Sequence, residues 1–159
     1  MLIIIATIII ICFTAVILVG APYLPTLKTQ INTALMLADL KPEQTIIELG
    51  CGDGRVLLAA RKYGLNSIGY EINPILAIIA WLRCLPYKNI KVKWGNYWTA
   101  EWPKADAVFV FLINRYMKKL DKKCQDYKHK PIMLMSFAFK IPDKKVIKYK
   151  NGIYLYEYK

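Results

Sequence analysis

The sequence holds 159 residues, 56% of them hydrophobic, with 23 lysines and arginines against 11 acids and a formal charge of +12. That length fits one domain, the hydrophobic share excludes a disordered chain, and a single long apolar run excludes a multi-pass membrane protein. Four scattered cysteines, one histidine and no CxxC pair argue against a disulfide-stapled fold and a structural zinc site, so no metal is expected.

Residues 2–19 (LIIIATIIIICFTAVILV) are apolar apart from Thr7 and Thr14, and no charged side chain precedes Lys28. As a helix the run is about 27 Å long, close to a hydrocarbon core of roughly 30 Å. A signal peptide cut near Val19-Gly20-Ala21 is the competing reading, with a buried core helix behind it. A signal peptide has a positive start and a shorter apolar region, and this run has neither. The expectation is an uncleaved anchor over 1–20. Lys28 follows the run and nothing basic precedes it, so the positive-inside tendency places a single-pass protein with its C-terminal domain facing the cytoplasm. Unpaired cysteines agree with that compartment.

Residues 21–44 are a linker and an N-terminal helix, with apolar spacing over 26–40 and Thr26 as its cap; 45–159 are one α/β domain. In that domain a buried strand (45–49) leads through a glycine-rich turn to a helix (55–63). A second strand (67–72) precedes a helix that starts at Asn73-Pro74 and runs to Cys84. A third strand covers 89–94, and ADAVFVFL (105–112) is a strand buried on both faces. A basic helix (113–127) and a fifth strand (131–139) follow. Two alternating strands, 144–150 and 152–158, meet at Asn151-Gly152, a pair suited to a type I′ turn. Alternating strands and helices imply a mostly parallel sheet with right-handed crossovers, and the hairpin adds an antiparallel edge.

The stretch Glu48-Leu49-Gly50-Cys51-Gly52-Asp53-Gly54-Arg55 lies between strand and helix, where open α/β sheets bind ligands. Three glycines in five residues exceed what a bare turn needs and let the backbone approach a ligand closely. The dinucleotide pattern fails because position 55 is Arg55, and no Gly-Lys-Ser/Thr is present for a P-loop. Glu71, ending the next strand, can accept both ribose hydroxyls of an adenosine. Glu48, under the turn, suits a ligand carrying an amino group and a sulfonium better than a pyrophosphate.

IIELGCGDGR and GYEINP resemble the S-adenosylmethionine-binding motifs of class I (seven-strand) methyltransferases. This resemblance implies a Rossmann-like, seven-stranded α/β fold with S-adenosyl-L-methionine as cofactor. One apolar anchor, then PYLPT, ELGCGDGR, GYEINP, GNYW and SFAF in that order is similar to the small membrane-anchored protein-lysine methyltransferases of the ATP-synthase c-subunit and the adenine-nucleotide translocase. That resemblance implies cofactor contacts from Thr26, Glu48, Gly50, Cys51, Gly52, Glu71 and Asn96. It also implies that Trp98, Phe137 and Phe139 lie near a lysine channel. The chain departs from the family at Asn96, commonly an acid, and at Ala138, where a proline separates the two aromatics.

Methyl transfer from a sulfonium is an in-line displacement that chiefly needs alignment and exclusion of water. No histidine base is required, and His129, in a lysine-rich loop, is expected to be exposed. Aromatic walls hold an ammonium by about 0.5–2 kcal/mol. Trp94, Tyr97, Trp98 and Trp102 either rim a substrate or cap the core; Phe137 and Phe139 share a strand face and have the same alternatives. Asp53 is expected to cap the helix and Arg55 to pair with a nearby carboxylate. No Asn/Asp-Pro-Pro-Tyr motif follows the fourth strand, which lowers adenine or glutamine amides as substrates. The lysine clusters at 118–130 and 140–150 are a solvated face, an attraction to anionic membrane lipid, or a nucleic-acid site, the last not expected. The resulting expectation is methylation of a lysine in a membrane-bound protein substrate. Alternatives are a lipid or small-molecule acceptor, RNA, or an inactive cofactor-binding module.

Overall fold

The computed structural model describes residues 1, 4, 7 and 23–159. Helix α1 (Lys28–Ala38) precedes β1 (Thr45–Leu49), α2 (Arg55–Lys62), β2 (Asn66–Glu71), α3 (Pro74–Cys84), β3 (Ile90–Trp94) and β4 (Ala107–Val110). A short 3-10 turn (Asn114–Tyr116) then leads into α4 (Met117–Gln125), β5 (Ile132–Phe137), β6 (Lys148–Lys150) and β7 (Ile153–Tyr158). The strands form one sheet in the order β3-β2-β1-β4-β5-β7-β6. All neighbours from β3 to β5 are parallel, and β7 runs antiparallel to both β5 and β6. This is the expected seven-stranded Rossmann-like sheet with its antiparallel C-terminal hairpin. Asn151 and Gly152 take φ of 48° and 80°, as a type I′ turn demands.

Period-two alternation sorts the strand side chains between two layers. Ile47, Leu49, Val108 and Val110 pack with Met117, Leu120 and Cys124 of α4. Ile46, Ala107 and Phe109 pack with Ile31, Ala34 and Leu35 of α1 and with Val56 and Ala60 of α2. The β3–β4 connection carries no helix. Buried Tyr97 and Trp102 close that side instead, and the Trp102 indole N–H donates to the Tyr97 carbonyl at 3.0 Å. Tyr127 secures the far end, its hydroxyl donating to Pro103 O and accepting from Ala105 N, both at 2.8 Å.

Several boundaries move inward. The first helix starts at Lys28 with Leu27 as its cap and no side-chain bond from Thr26, because Pro25 and buried Thr26 belong to an extended strap. The basic helix is broken into the 3-10 turn and α4, and the strand expected over 144–150 keeps only its last three residues. Cys51, Cys84 and Cys124 are buried and free, and burial pushes the Cys124 thiol up to about 12. His129 is exposed.

The single-pass membrane placement is corrected. Among the described residues no helix is long and apolar enough to cross a membrane. The longest described helices, α1 and α3, have 11 residues each, about 16 Å against roughly 30 Å of hydrocarbon. The run over 2–19 lies outside the described residues apart from Ile4 and Thr7. The cytoplasm-facing orientation rested on that anchor and falls with it.

Gly69 in β2 positions the glycine turn. A Cβ there would stand 2.6 Å from Leu57 Cδ1 and 2.7 Å from both Cβ and Sγ of Cys51. Gly69→Ala is expected to destabilise the fold by about 1–3 kcal/mol through overpacking, read as a lowered midpoint in denaturant unfolding.

Candidate functional site

The site is built where β1 ends and α2 begins. The amides of Gly50 and Cys51 both donate to Tyr70 O of β2, at 2.9 and 2.8 Å, so the turn is stitched to the neighbouring strand. Gly50, Gly52 and Gly54 take φ of 81°, 53° and 79°, a region that disfavours a Cβ. Gly54, not Asp53, occupies the cap position of α2. Asp53 Oδ1 still accepts the Arg55 amide at 3.3 Å, but two guanidiniums hold its carboxylate: Arg55 bonds it at 2.9 and 3.1 Å, and Arg83 reaches it from α3. Burial alone would raise the Asp53 carboxyl, but Arg55 and Arg83 outweigh it and hold it below its usual range.

Two buried glutamates frame the turn. Glu71 receives the Gly52 amide on Oε2 and the Asn73 amide on Oε1, each at 2.8 Å. A carboxylate offers about four acceptor positions, so each oxygen keeps capacity for a further donor. Burial lifts Glu71 above its ordinary range, opposed by the amides of Asn73, Gly52 and Ile72. Glu48 lies within β1, in register with Gly69 on one side and Phe109 on the other. Its Oε2 is buried without a hydrogen-bond partner. Burial pushes Glu48 well above the usual carboxylate range, Glu71 and Asp53 add to the rise, and Arg55 opposes it. A buried carboxyl with an unmet acceptor is a receptor for a cation or a donor.

Thr26, Glu48, Gly50, Cys51, Gly52 and Glu71 all line one cleft. Asn96 does not. Its Oδ1 accepts the Trp98 amide at 2.9 Å and shapes the turn that presents Tyr97 to the cleft. Trp98 faces a second groove beside α4, where the Lys119 ammonium lies 4.5 Å from its ring centre. Phe137 stands one ring back, its centroid 4.4 Å from Phe111, which lines the cleft. Phe139 is packed against the α4 side of the core, with its carbonyl accepting from Ser136 Oγ at 2.7 Å. Between them Ala138 has φ of 69°, a value closed to proline.

Sequence reasoning missed Tyr23, Asn73 and Phe111 as lining residues, and Tyr97, left between substrate rim and core cap, is both. The Tyr23 ring lies over Gly52, where a Cβ would be 2.4 Å from its Cε2. Only the tight PYLPT exit hinted at Tyr23, and Phe111 is indistinguishable in sequence from a core residue of its strand.

The cleft fits S-adenosylmethionine on its own chemistry: an orphaned buried carboxyl oxygen for an ammonium, and a glycine floor open at Gly50, where nothing lies within 4 Å of a Cβ, though covered at Gly52 by the Tyr23 ring. The raised Glu48 predicts a pH effect on the ligand-free chain. Its stabilising contribution is complete below the unfolded value near 4.5 and is lost as pH rises, because the folded state must retain or bury the charge. Glu48→Gln mimics the neutral acid, so its thermal midpoint should pull ahead of the parent's progressively as pH rises above 4.5.

Residues 48–148 match the family described as the ANTKMT methyltransferase domain. The lysine N-methyltransferase of the ATP-synthase c-subunit from Xenopus laevis is 26% identical over 126 residues, 77% of this chain and 55% of that protein. A protein-lysine N-methyltransferase of Saccharolobus islandicus (strain REY15A) is 28% identical over 152 residues, 85% of this chain and 92% of its own. The chain thus spans about half the length of the frog relative and nearly all of the archaeal one. Among solved structures, an RNA methyltransferase of Salinibacter ruber in complex with S-adenosyl-L-homocysteine superposes with a TM-score of 0.77 at 24% identity, over 85% of this chain and 92% of that one. That likeness establishes the fold alone. By the match over residues 48–148, from the glycine turn through β5, the chain belongs to the ANTKMT methyltransferase domain family.

Proposed function

We propose that the chain is an S-adenosylmethionine-dependent methyltransferase acting on a lysine side chain of a protein, with 45–159 as the catalytic domain. The observation that carries this reading is the partnerless buried oxygen of Glu48 beneath the glycine turn. Relatives named as lysine N-methyltransferases support the acceptor class.

In this reading Glu48 receives the amino group of the cofactor. Glu71, its two oxygens already oriented by the Gly52 and Asn73 amides, accepts the ribose hydroxyls. Backbone at Gly50, Cys51 and Gly52 forms the floor, and Thr26 closes the strap side. When bound, S-adenosylmethionine supplies a methyl group already activated on a sulfonium sulfur. The chain's task is then to align the amine and strip it of water. Phe111 backed by Phe137 forms the aromatic wall on which a lysine ammonium is held, while Trp98 and Phe139 stand outside this cleft on the α4 side. Desolvation there lowers the lysine pKa, so the amine loses its proton to water before transfer.

Incubation with labelled S-adenosylmethionine and a mixture of cellular protein, lipid and RNA should place label on protein, recovered as methyl-lysine after hydrolysis. Label in lipid or RNA, or none despite measured cofactor binding, contradicts the lysine assignment. Glu48→Gln and Glu71→Ala should each weaken S-adenosylhomocysteine at least about tenfold, the scale of a charge-assisted bond of roughly 1.5–3 kcal/mol. Phe111→Ala should lower turnover more than cofactor affinity.

A further inference from the structure

We propose that α3, together with the edge strand β3, is a docking face for an anionic lipid surface. Helix α3 reads PILAIIAWLRC, apolar on every side except at Arg83. Leu76, Ala77, Ala80 and Cys84 face the core. Ile78, Ile79, Trp81 and Leu82, with Leu85 just beyond, stay 39–60% exposed. At about 100° per residue those five side chains form one continuous arc of about 160°. A helix that is hydrophobic all round belongs against something on its outer side.

The surroundings say what that partner is. No aspartate or glutamate lies between Glu71 and Glu101; Arg83 in that interval is taken up by Asp53, which leaves Lys88, Lys91 and Lys93 as its cations. Lys88 is exposed just before the edge strand on the side of α3, whereas Lys91 and Lys93 are exposed along it on the opposite face from Ile90 and Val92, which pack under α3. Trp94, 72% exposed, ends that strand with its indole N–H donating to Ile72 O at 3.1 Å, so a tryptophan is held outward at the rim. Outward aliphatics, two exposed tryptophans and a cationic margin are the make-up of an interfacial helix on anionic lipid. A second copy of this +12 chain would bring like charges together, which disfavours self-association. The face is a convex helix rather than a groove, which suits a flat surface better than a partner helix. A contact of this kind needs no helix that crosses the bilayer, and it is independent of the methyl-transfer reading.

The test uses the full chain and phosphatidylcholine vesicles containing a brominated phosphatidylcholine, with and without about 30% phosphatidylglycerol. Because binding of the whole chain to vesicles does not locate the contact, the readout is local. Tryptophan emission should be quenched more on the anionic vesicles, and that increment should fall about twofold in Trp81→Phe and in Ile78→Asp/Leu82→Asp. It should shrink in high salt. Unchanged S-adenosylhomocysteine affinity certifies that the variants are folded. Equal quenching in parent and Trp81→Phe, or no dependence on anionic lipid, overturns the proposal. So does a dimer without vesicles that Ile78→Asp/Leu82→Asp converts to monomer, since the face would then be a self-contact.

Discussion

An acid buried without a partner raises the free energy of the fold it sits in, and Glu48 carries such an oxygen under the glycine turn. The surrounding structure is arranged to hold it there. β1 is central in the sheet, so Glu48 cannot swing to water without unpairing from β2 and β4. Gly69, its register partner, leaves room for Cys51 below the turn. Glu71 clamps the turn from the end of β2 through the Gly52 amide. The bend is therefore rigid on the protein side and unsatisfied on the ligand side, which is the condition for binding by preorganisation.

Local chemistry made much of this legible in the sequence. Three glycines after a buried strand, an acid before them and another at the end of the next strand named the cleft, and Asn73-Pro74 named the start of α3. There the side chain caps its own helix, accepting from Ile75 and Leu76. Asn151-Gly152 named the hairpin for the same reason, since positive φ is a property of those residues themselves. The failures involve partners distant in sequence. Asp53 looks like a cap until Arg83, thirty positions on, takes its carboxylate. Asn96, Trp98 and Phe137 carry suitable chemistry, but the folding of 95–106 and the intervening Phe111 decide which of them reaches the cleft. The membrane placement was an inference from a run that lies outside the described residues, and no described helix supports it.

The α/β domain dispenses with one crossover helix. Where β3 returns to β4 without a helix, Tyr97 and Trp102 cover the sheet, and Tyr97 also forms part of the cleft. The same aromatic pair thus joins core stability to the shape of the site. Burial raises the Tyr97 phenol far above its ordinary value, so it stays neutral as a wall.

The most direct check on the role of Glu48 is carbon-13 detection of its carboxyl during pH titration, with and without S-adenosylhomocysteine. The account predicts that the ligand's ammonium drives the apparent Glu48 pKa downward, so the carboxyl is ionised in the complex at neutral pH. An unchanged titration in a chain that demonstrably binds the ligand would contradict it.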